Sequence, residues 1–315
     1  MTERVDFHIH YDPLDESTAY DAIETARKCE VTAMALMARG QISVNTHEFI
    51  EKGRELGIKV FSGLESLTIL GDNFLELICL GFDPEGSIAG LYGQEVVEKI
   101  NKKAVFEQLA FIQTEGFDFS LISSEDQELL SKVKMGKTTE RAFKICQIIS
   151  RSSNIPNISR ISALKKELDD DWKYVNDKYG NAFKGSNLNA KFLWYIYFKV
   201  GAPGYIRVQN HADVVINAVH ESGGVVLYSP EGKFDFSVWE SLISLGVDGV
   251  MGWHGSKLEL SRQMIKDLLE KEMLILGGSD FDPIKNHWKL GLGDGSLYIN
   301  PRRLLSLESR LLARV

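Results

Sequence analysis

The sequence predicts an α/β protein of about seven strands with one mostly helical insertion. Two stretches, residues 5–83 and 211–280, alternate short apolar runs with amphipathic helical patterns. That alternation is typical of parallel strands joined by crossover helices. Between them, residues 94–200 favour helix and lack the alternation. The chain therefore predicts one α/β body that is interrupted once.

The strands of the first stretch are short apolar runs bounded by polar residues or turn signals. Its predicted strands cover residues 5–10, 32–38, 59–65 and 75–82, and its predicted helices cover residues 16–30 and 47–56. Within the insertion, the longest amphipathic helices are expected at residues 132–150 and 188–200.

Alternation resumes in the second stretch and continues to the end of the chain. Its predicted strands cover residues 224–228, 249–253 and 273–280, and its predicted helices cover residues 211–222, 238–245, 257–271 and 301–313. The pattern contains no internal repeat and no low-complexity segment.

Composition excludes several classes of function. The chain has 315 residues, is 44% hydrophobic and 25% charged, and carries a formal charge of −8, which argues against a binder of nucleic acid duplexes. No apolar run of membrane-spanning length and no signal-peptide pattern is present, so a cytoplasmic protein without a membrane partner is expected. The three cysteines, Cys29, Cys79 and Cys146, are expected to be buried reduced thiols.

Four residues at strand ends form a candidate metal site. His8 and His10 lie two residues apart on the first strand, so their side chains point the same way. Glu65 and Asp280 end the third and the last strands, and functional residues of such folds gather at the carboxyl ends of strands. Two imidazoles and two carboxylates suit zinc, manganese or iron.

At these residues the chain resembles the polymerase and histidinol phosphatase (PHP) family, in its subgroup of phosphoesterases that act on small nucleotides. The matching segments are Asp6–His10, Gly63–Leu67, Gly223–Pro230, Gly246–Val250 with the following His254, and Gly277–Asp282. The resemblance implies a distorted (β/α)7 barrel formed by residues 1–98 and 201–315. It also implies that a helical insertion, residues 99–200, covers the active site. The site would hold up to three metals and would hydrolyse phosphate esters with a metal-activated water.

The positions that depart from the family pattern are ligand positions of the second and third metals. The first metal's ligands in the family correspond to the four residues named above, and all are present. The second metal needs histidines where this chain has Ile78 and Ser229, and the third needs Asp15 and histidines where this chain has Arg39 and Asp282. The resemblance therefore implies one metal rather than three.

Arg39 is predicted to occupy the place of the third metal and to pair with Asp15, Asp282 or both. A guanidinium stays protonated and binds carboxylates and phosphates in a bidentate manner. With the metal at His8, His10, Glu65 and Asp280, Arg39 would bind substrate phosphate, Asp282 or Asp15 would be the base, and His254 the general acid.

Further substrate contacts are expected from Ser229 and from Lys184 in the insertion. Residues 101–200 hold 16 Lys and Arg against 12 Asp and Glu, which suits a small anionic substrate such as a phosphate ester or nucleotide.

Three functions stay open at this point. The first is a metal-dependent phosphoesterase. The second is a catalytically inactive, degenerate PHP protein that binds a ligand or partner. The third is a mononuclear hydrolase resembling the amidohydrolases, which also place a His-x-His pair and a late-strand aspartate around one metal. Substrate identity, metal identity and oligomeric state do not follow from the sequence.

Overall fold

A seven-stranded sheet forms the body of the protein in the computed structural model. The structure describes residues 4–13, 15–121, 123–124, 138–151, 188–198, 202–206, 208–230, 234–254, 262–283 and 302–314. The strands follow one another around the sheet in chain order. They are β1 (Val5–His10), β2 (Ala33–Arg39), β3 (Lys59–Leu70), β4 (Asn73–Leu80), β5 (Val225–Ser229), β6 (Gly249–His254) and β7 (Leu274–Gly278).

The sheet is a nearly closed barrel, because its first and last strands approach each other. Beyond the end of β7, the N–H of Asp280 donates to the carbonyl of His8 at 3.0 Å, and the N–H of His10 donates to the carbonyl of Phe281 at 2.7 Å. The predicted α/β class and seven-stranded barrel are confirmed.

The described residues contain ten α-helices, most of them close to their predicted positions. They are α1 (Ser17–Lys28), α2 (Thr46–Glu55), α3 (Ala89–Tyr92), α4 (Gln94–Thr114), α5 (Thr138–Arg151), α6 (Leu188–Tyr197), α7 (Ala212–Glu221), α8 (Phe236–Ser244), α9 (Arg262–Glu270) and α10 (Arg302–Leu312). The predicted starts of α5 and α9, at residues 132–137 and 257–261, lie outside the described residues. None of these helices is long and apolar enough to cross a lipid bilayer.

The direction of β4 differs from the expectation of parallel strands. β4 is antiparallel to both β3 and β5, whereas the other neighbouring pairs are parallel. Only Gly71 and Asp72 separate β3 from β4, and a parallel connection needs a crossover of a dozen residues or more. Gly71 has φ +59°, a conformation that glycine adopts without a steric cost.

Two apolar layers cover the two faces of the sheet. The outer layer packs against helices; on α1 it takes Ala19, Ala22, Ile23 and Ala26, the spacing of one helical face. The inner layer fills the barrel and is closed by Leu304 and Leu307 of α10. The strand residues of the inner layer include Val5, Phe7, Ala35, Met37, Ile78, Leu227, Met251 and Leu276.

The chain divides into two compact units, Met1–Val97 with Gln209–Val315, and Glu98–Val208. The second unit has its own apolar core, in which α5 packs against α6. Its core residues include Val105, Ile112, Phe117, Ile145, Cys146, Leu193 and Tyr197. The expectation that an insertion covers the active site stays a prediction.

All three cysteines are free thiols, as predicted. Cys79 and Cys146 are buried, and burial raises the pKa of both. Cys29 is only partly buried, because it lies in the turn after α1, so the prediction of three buried thiols is wrong at this position.

Candidate metal centre

The two histidines of β1 meet inside the barrel. The Nε2 atoms of His8 and His10 lie 3.0 Å apart, and both side chains are buried. β1 is buried along its whole length, and its pairing register with β2 shifts between Asp6 and Ile9. The two imidazoles therefore point at the same place, as predicted.

Two carboxylates approach the same nitrogens from other strands. Glu65, in the middle of β3, places Oε2 3.3 Å from the Nε2 of each histidine. Asp280, two residues beyond β7, places Oδ1 2.8 Å from the Nε2 of His10 and 3.7 Å from that of His8. The ligand atoms of His8, His10 and Glu65 lie within 4.8 Å of one another and could hold a metal ion.

The donor set fits a divalent cation. A tetrahedral zinc with ligand bonds of about 2.0 Å has donor atoms about 3.3 Å apart. The separations between the two imidazoles, and between each imidazole and each carboxylate, range from 2.8 to 3.7 Å, and the group whose ligand atoms all lie within 4.8 Å of one another is His8, His10 and Glu65. Manganese and iron accept the same donors, so the set does not select among the three metals.

Ionisation within the cluster is strongly coupled. Burial disfavours the charged form of Glu65, but the hydrogen bond from His8 and the charges of both histidines hold its pKa well below the usual range. Burial lowers the pKa of His10. Burial also disfavours the charged form of His8, yet its hydrogen bond to Glu65 raises the pKa. The raised pKa of His8 thus has its cause in the neighbouring carboxylates, which favour the protonated imidazole.

Arg39, the last residue of β2, lies beside this cluster. Its Nη1 donates to Asp282 Oδ2 at 2.9 Å, which confirms the predicted ion pair. Its Nε lies 3.5 Å from Glu65 Oε1, and its Nη2 lies 3.8 Å from Asp280 Oδ1. Glu65 therefore directs one oxygen at the histidines and the other at the guanidinium.

Asp15 does not join Arg39 in the described structure. Its side chain is exposed, and its carboxylate accepts hydrogen bonds from the backbone N–H and the hydroxyl of Ser17. The prediction of a pair with Asp15, Asp282 or both is therefore met through Asp282, and the turn before α1 holds the Asp15 carboxylate locally.

Ile78 and Ser229 stand where the family has histidines. Ile78 pairs with Glu65 across β3 and β4, is fully buried, and packs in the inner apolar layer. Ser229 ends β5 and is buried. A hydrocarbon side chain next to Glu65 cannot supply a metal ligand.

The side chains of two other predicted residues lie outside the described part of the structure. His254 is the last residue of β6, and its side chain lies outside the described part of the structure. Lys184 also lies outside the described residues. The roles of His254 and Lys184 in catalysis and substrate binding stay predictions.

Sequence analysis missed two acidic residues near the histidines. Glu76 of β4 lies opposite Ser229 of β5, two residues before Ile78, and its charge contributes to the raised pKa of His8. Alternation along β4 could have indicated Glu76, because residues 76 and 78 point the same way. Asp6 is fully buried beside His8, and burial raises its pKa to about 6.

Solved structures of other proteins share the fold of this chain. No family model and no curated protein matches the chain. A candidate metal-dependent phosphoesterase from Bifidobacterium adolescentis aligns with 98% of this chain and 97% of its own, at TM-score 0.60 and 19% identity. At this level of identity the alignment shows a shared fold and no more. The chain shares the fold of that protein, and its own sheet is a nearly closed barrel of seven strands.

Two further solved structures are similar. An amidohydrolase from Chromobacterium violaceum, solved with bound sulfate and no metal, aligns with 98% of this chain and 96% of its own, at TM-score 0.55 and 18% identity. A two-domain protein from Bacteroides vulgatus, containing a predicted PHP-like metal-dependent phosphoesterase, covers 100% of this chain and 63% of its own at TM-score 0.43 and 11% identity. The last score is too low to support an argument.

Proposed function

We propose that the protein is a metal-dependent hydrolase of a small phosphorylated substrate, with one divalent metal held by His8, His10, Glu65 and Asp280. The observation that carries the proposal is the position of Arg39, which contacts two of these four residues. A fixed cation beside a candidate metal site is suited to an anionic substrate group such as a phosphate.

The four ligands supply two neutral donors and two negative charges when both histidines are deprotonated. When bound, a divalent metal would polarise a phosphoryl oxygen and make water a better nucleophile near neutral pH. The residues that would hold that cation lie at the carboxyl ends of β1 and β7 and near the middle of β3, where the barrel fixes their separations.

Arg39 serves as the second positive charge of the site. Glu65 lies between the candidate metal position and the guanidinium, with Oε2 on one side and Oε1 on the other. Arg39 would donate N–H bonds to phosphate oxygens and offset the negative charge that develops on them. Because its ion pair with Asp282 is 2.9 Å long, the guanidinium is held in place before substrate binds.

We assign Asp282 as the base that takes the proton from the attacking water, since its pair with Arg39 places it beside the phosphate group that this guanidinium would bind. His254 would be the general acid, and Ser229 and Lys184 would contact substrate. Ile78 and Arg39 together account for one metal rather than three, because neither can be a metal ligand at neutral pH.

An amidohydrolase is the second candidate function. The fold is shared with the Chromobacterium protein, and the donor set suits a mononuclear hydrolase. The bound sulfate of that structure indicates that this fold can hold a tetrahedral oxyanion. A protein that binds a ligand without turnover is the remaining alternative.

The decisive assay measures products. The purified protein, loaded with Mn²⁺ or Zn²⁺, is assayed for phosphate release and for ammonia release over panels of phosphate esters and of amides or amines. We expect phosphate release that is lost in His10→Ala. Ammonia release alone would favour the second candidate, and no turnover with a bound metal would favour the binding protein.

A further inference from the structure

A buried carboxylate with no assigned role lies where β1 meets β7. Asp6 is fully buried. Its Oδ1 accepts the backbone N–H of His8 at 3.1 Å and the backbone N–H of Ser279 at 3.0 Å. One oxygen atom thus joins two residues that are 271 positions apart in the chain, one a candidate ligand and the other the neighbour of Asp280.

The backbones of the two strands are unusually close at this point. A Cβ on Gly278 would lie 2.4 Å from the N of His8 and 2.7 Å from Asp6 Oδ1, so only glycine fits. The register of β1 shifts between Asp6 and Ile9, and an irregularity of this kind leaves backbone groups without their usual strand partners. The carboxylate of Asp6 takes the place of a strand carbonyl for the N–H of His8.

The residue after Ser279 is Asp280, and its backbone conformation is strained. Asp280 has φ +58°, which is uncommon for a residue other than glycine, although aspartate tolerates it better than most. Its N–H donates to the carbonyl of His8 at 3.0 Å. The conformation that directs the Asp280 carboxylate at His10 therefore depends on the contact between β1 and β7.

We infer that Asp6 is a positioning residue that sets the separation between the metal ligands of β1 and Asp280 by tying the backbone of His8 to that of Ser279. The inference rests on the proposed metal site. Asp6 does not touch the metal position through this bond; it acts through the backbone of two ligand-bearing segments. Residues that orient metal ligands in this way change metal affinity by about 10- to 100-fold when they are replaced.

The test is a titration with Co²⁺, followed by its visible absorbance, which reports both affinity and coordination. Asp6→Ala removes the acceptor, whereas Asp6→Asn keeps a carbonyl oxygen for both N–H groups. We expect Co²⁺ to bind Asp6→Ala about 10- to 100-fold more weakly than the wild type, with an altered spectrum. Asp6→Asn should restore the wild-type spectrum and most of the affinity.

Asp248→Ala is the matched control. Asp248 is also buried and also accepts a backbone N–H from another strand, that of Val226, but at the opposite end of the barrel. It should lower the unfolding temperature and leave the affinity and spectrum of Co²⁺ unchanged. A structural defect alone would affect both alanine variants in the same way.

The outcomes separate the inference from the proposed function. If the wild type binds no Co²⁺, Zn²⁺ or Mn²⁺, the proposed function fails. If the wild type binds and Asp6→Ala binds equally well, the positioning role is wrong. Should Asp6→Ala not fold, Asp6→Ser is tested in its place. Its shorter side chain cannot span both N–H groups, so we expect a loss of Co²⁺ affinity that is smaller than the loss expected for Asp6→Ala. If neither variant folds, Asp6 is a requirement of the fold, and the positioning role is overturned.

Discussion

The two ends of the barrel both bury charged groups, but they neutralise them differently. At the amino ends of β5 and β6, the carboxylate of Asp248 accepts hydrogen bonds from His220 at 2.9 Å, from the N–H of Val226 at 2.9 Å, and from Arg314 at 2.5 Å. Burial disfavours its ionisation, yet these bonds lower its pKa. Every charge of this cluster meets an opposite charge or a donor.

At the carboxyl ends, similar groups face one another. Two imidazole nitrogens lie 3.0 Å apart, and the carboxylates of Glu65 and Asp280 both converge on them. Like groups in contact destabilise a site unless a proton or another cation lies between them. The comparison supports the proposal that the carboxyl end receives a cation, whereas the charges at the amino end are already neutralised by one another.

The largest expected effect follows from removing a ligand at the carboxyl end. A four-ligand zinc site contributes about 10–16 kcal/mol, or roughly 3 kcal/mol for each ligand. His10→Ala should therefore weaken Zn²⁺ binding by roughly 100- to 1,000-fold, as measured by competition with a chelator. His220→Ala, the corresponding change at the amino end, should leave the Zn²⁺ affinity unaltered. Equal losses of Zn²⁺ affinity in the two variants would contradict the difference between the two ends of the barrel.

Arg39→Lys tests the second cation. Lysine keeps the charge but loses the planar fork that matches phosphate and the carboxylate of Asp282. We expect kcat for phosphate release to fall by about 100-fold, since one donor aimed at developing charge is worth about that much. Metal stoichiometry should be unchanged. Arg54→Lys, an exposed arginine of α2, is the control; a loss of metal from Arg39→Lys would show that this residue acts on the metal instead.

The pH dependence of metal binding tests the coupling within the cluster. Hydrogen bonding to Glu65 raises the pKa of the His8 imidazole, so we expect the metal-free protein to hold a proton on His8 below that pKa. Metal must displace that proton, so below the pKa of His8 the dissociation constant should rise about tenfold for each unit that pH falls. Calorimetry in buffers of different ionisation enthalpy counts the released proton. Affinity that is constant from pH 8 to pH 5.5 would contradict this assignment.

The smallest effect concerns the stability of the amino end. The pKa of Asp248 is lowered in the folded protein, so its ionised form stabilises the fold above the unfolded pKa near 4, and that contribution disappears as pH falls through the lower folded pKa. Asp248→Asn should reduce the free energy of unfolding by about 1 kcal/mol at pH 7. Urea denaturation should show the difference shrinking below pH 4; a constant difference would mean that charge is not responsible.

Much of the fold could be predicted from the sequence because its signals are local. Buried parallel strands are apolar on both faces, so β2 and β5 are continuous apolar runs between polar segments, whereas β1 alternates apolar residues with Asp6, His8 and His10. The direction of β4 could not be inferred from its composition, since an apolar run fits either direction. The two-residue connection at Gly71 and Asp72 decides it.

The site could be predicted only in part. The pair of Arg39 and Asp282 was accessible because the loss of metal ligands at both positions suggested a replacement charge pair. The role of Asp6 could not be predicted, because its hydrogen bond to Ser279 joins residues that are 273 positions apart and forms only when the barrel closes. Glu76 was also missed, because no motif includes it and only the strand register brings it opposite Ser229.

The metal content of the wild-type protein tests the central claim most directly. Protein purified without added metal, then equilibrated with Zn²⁺ or Mn²⁺ and passed through a desalting column, is analysed by mass spectrometry of the elements. We predict one metal per chain, lost in His10→Ala and kept in Arg39→Lys. No stoichiometric metal in the wild type, or two or three per chain, would contradict a single cation site beside an arginine.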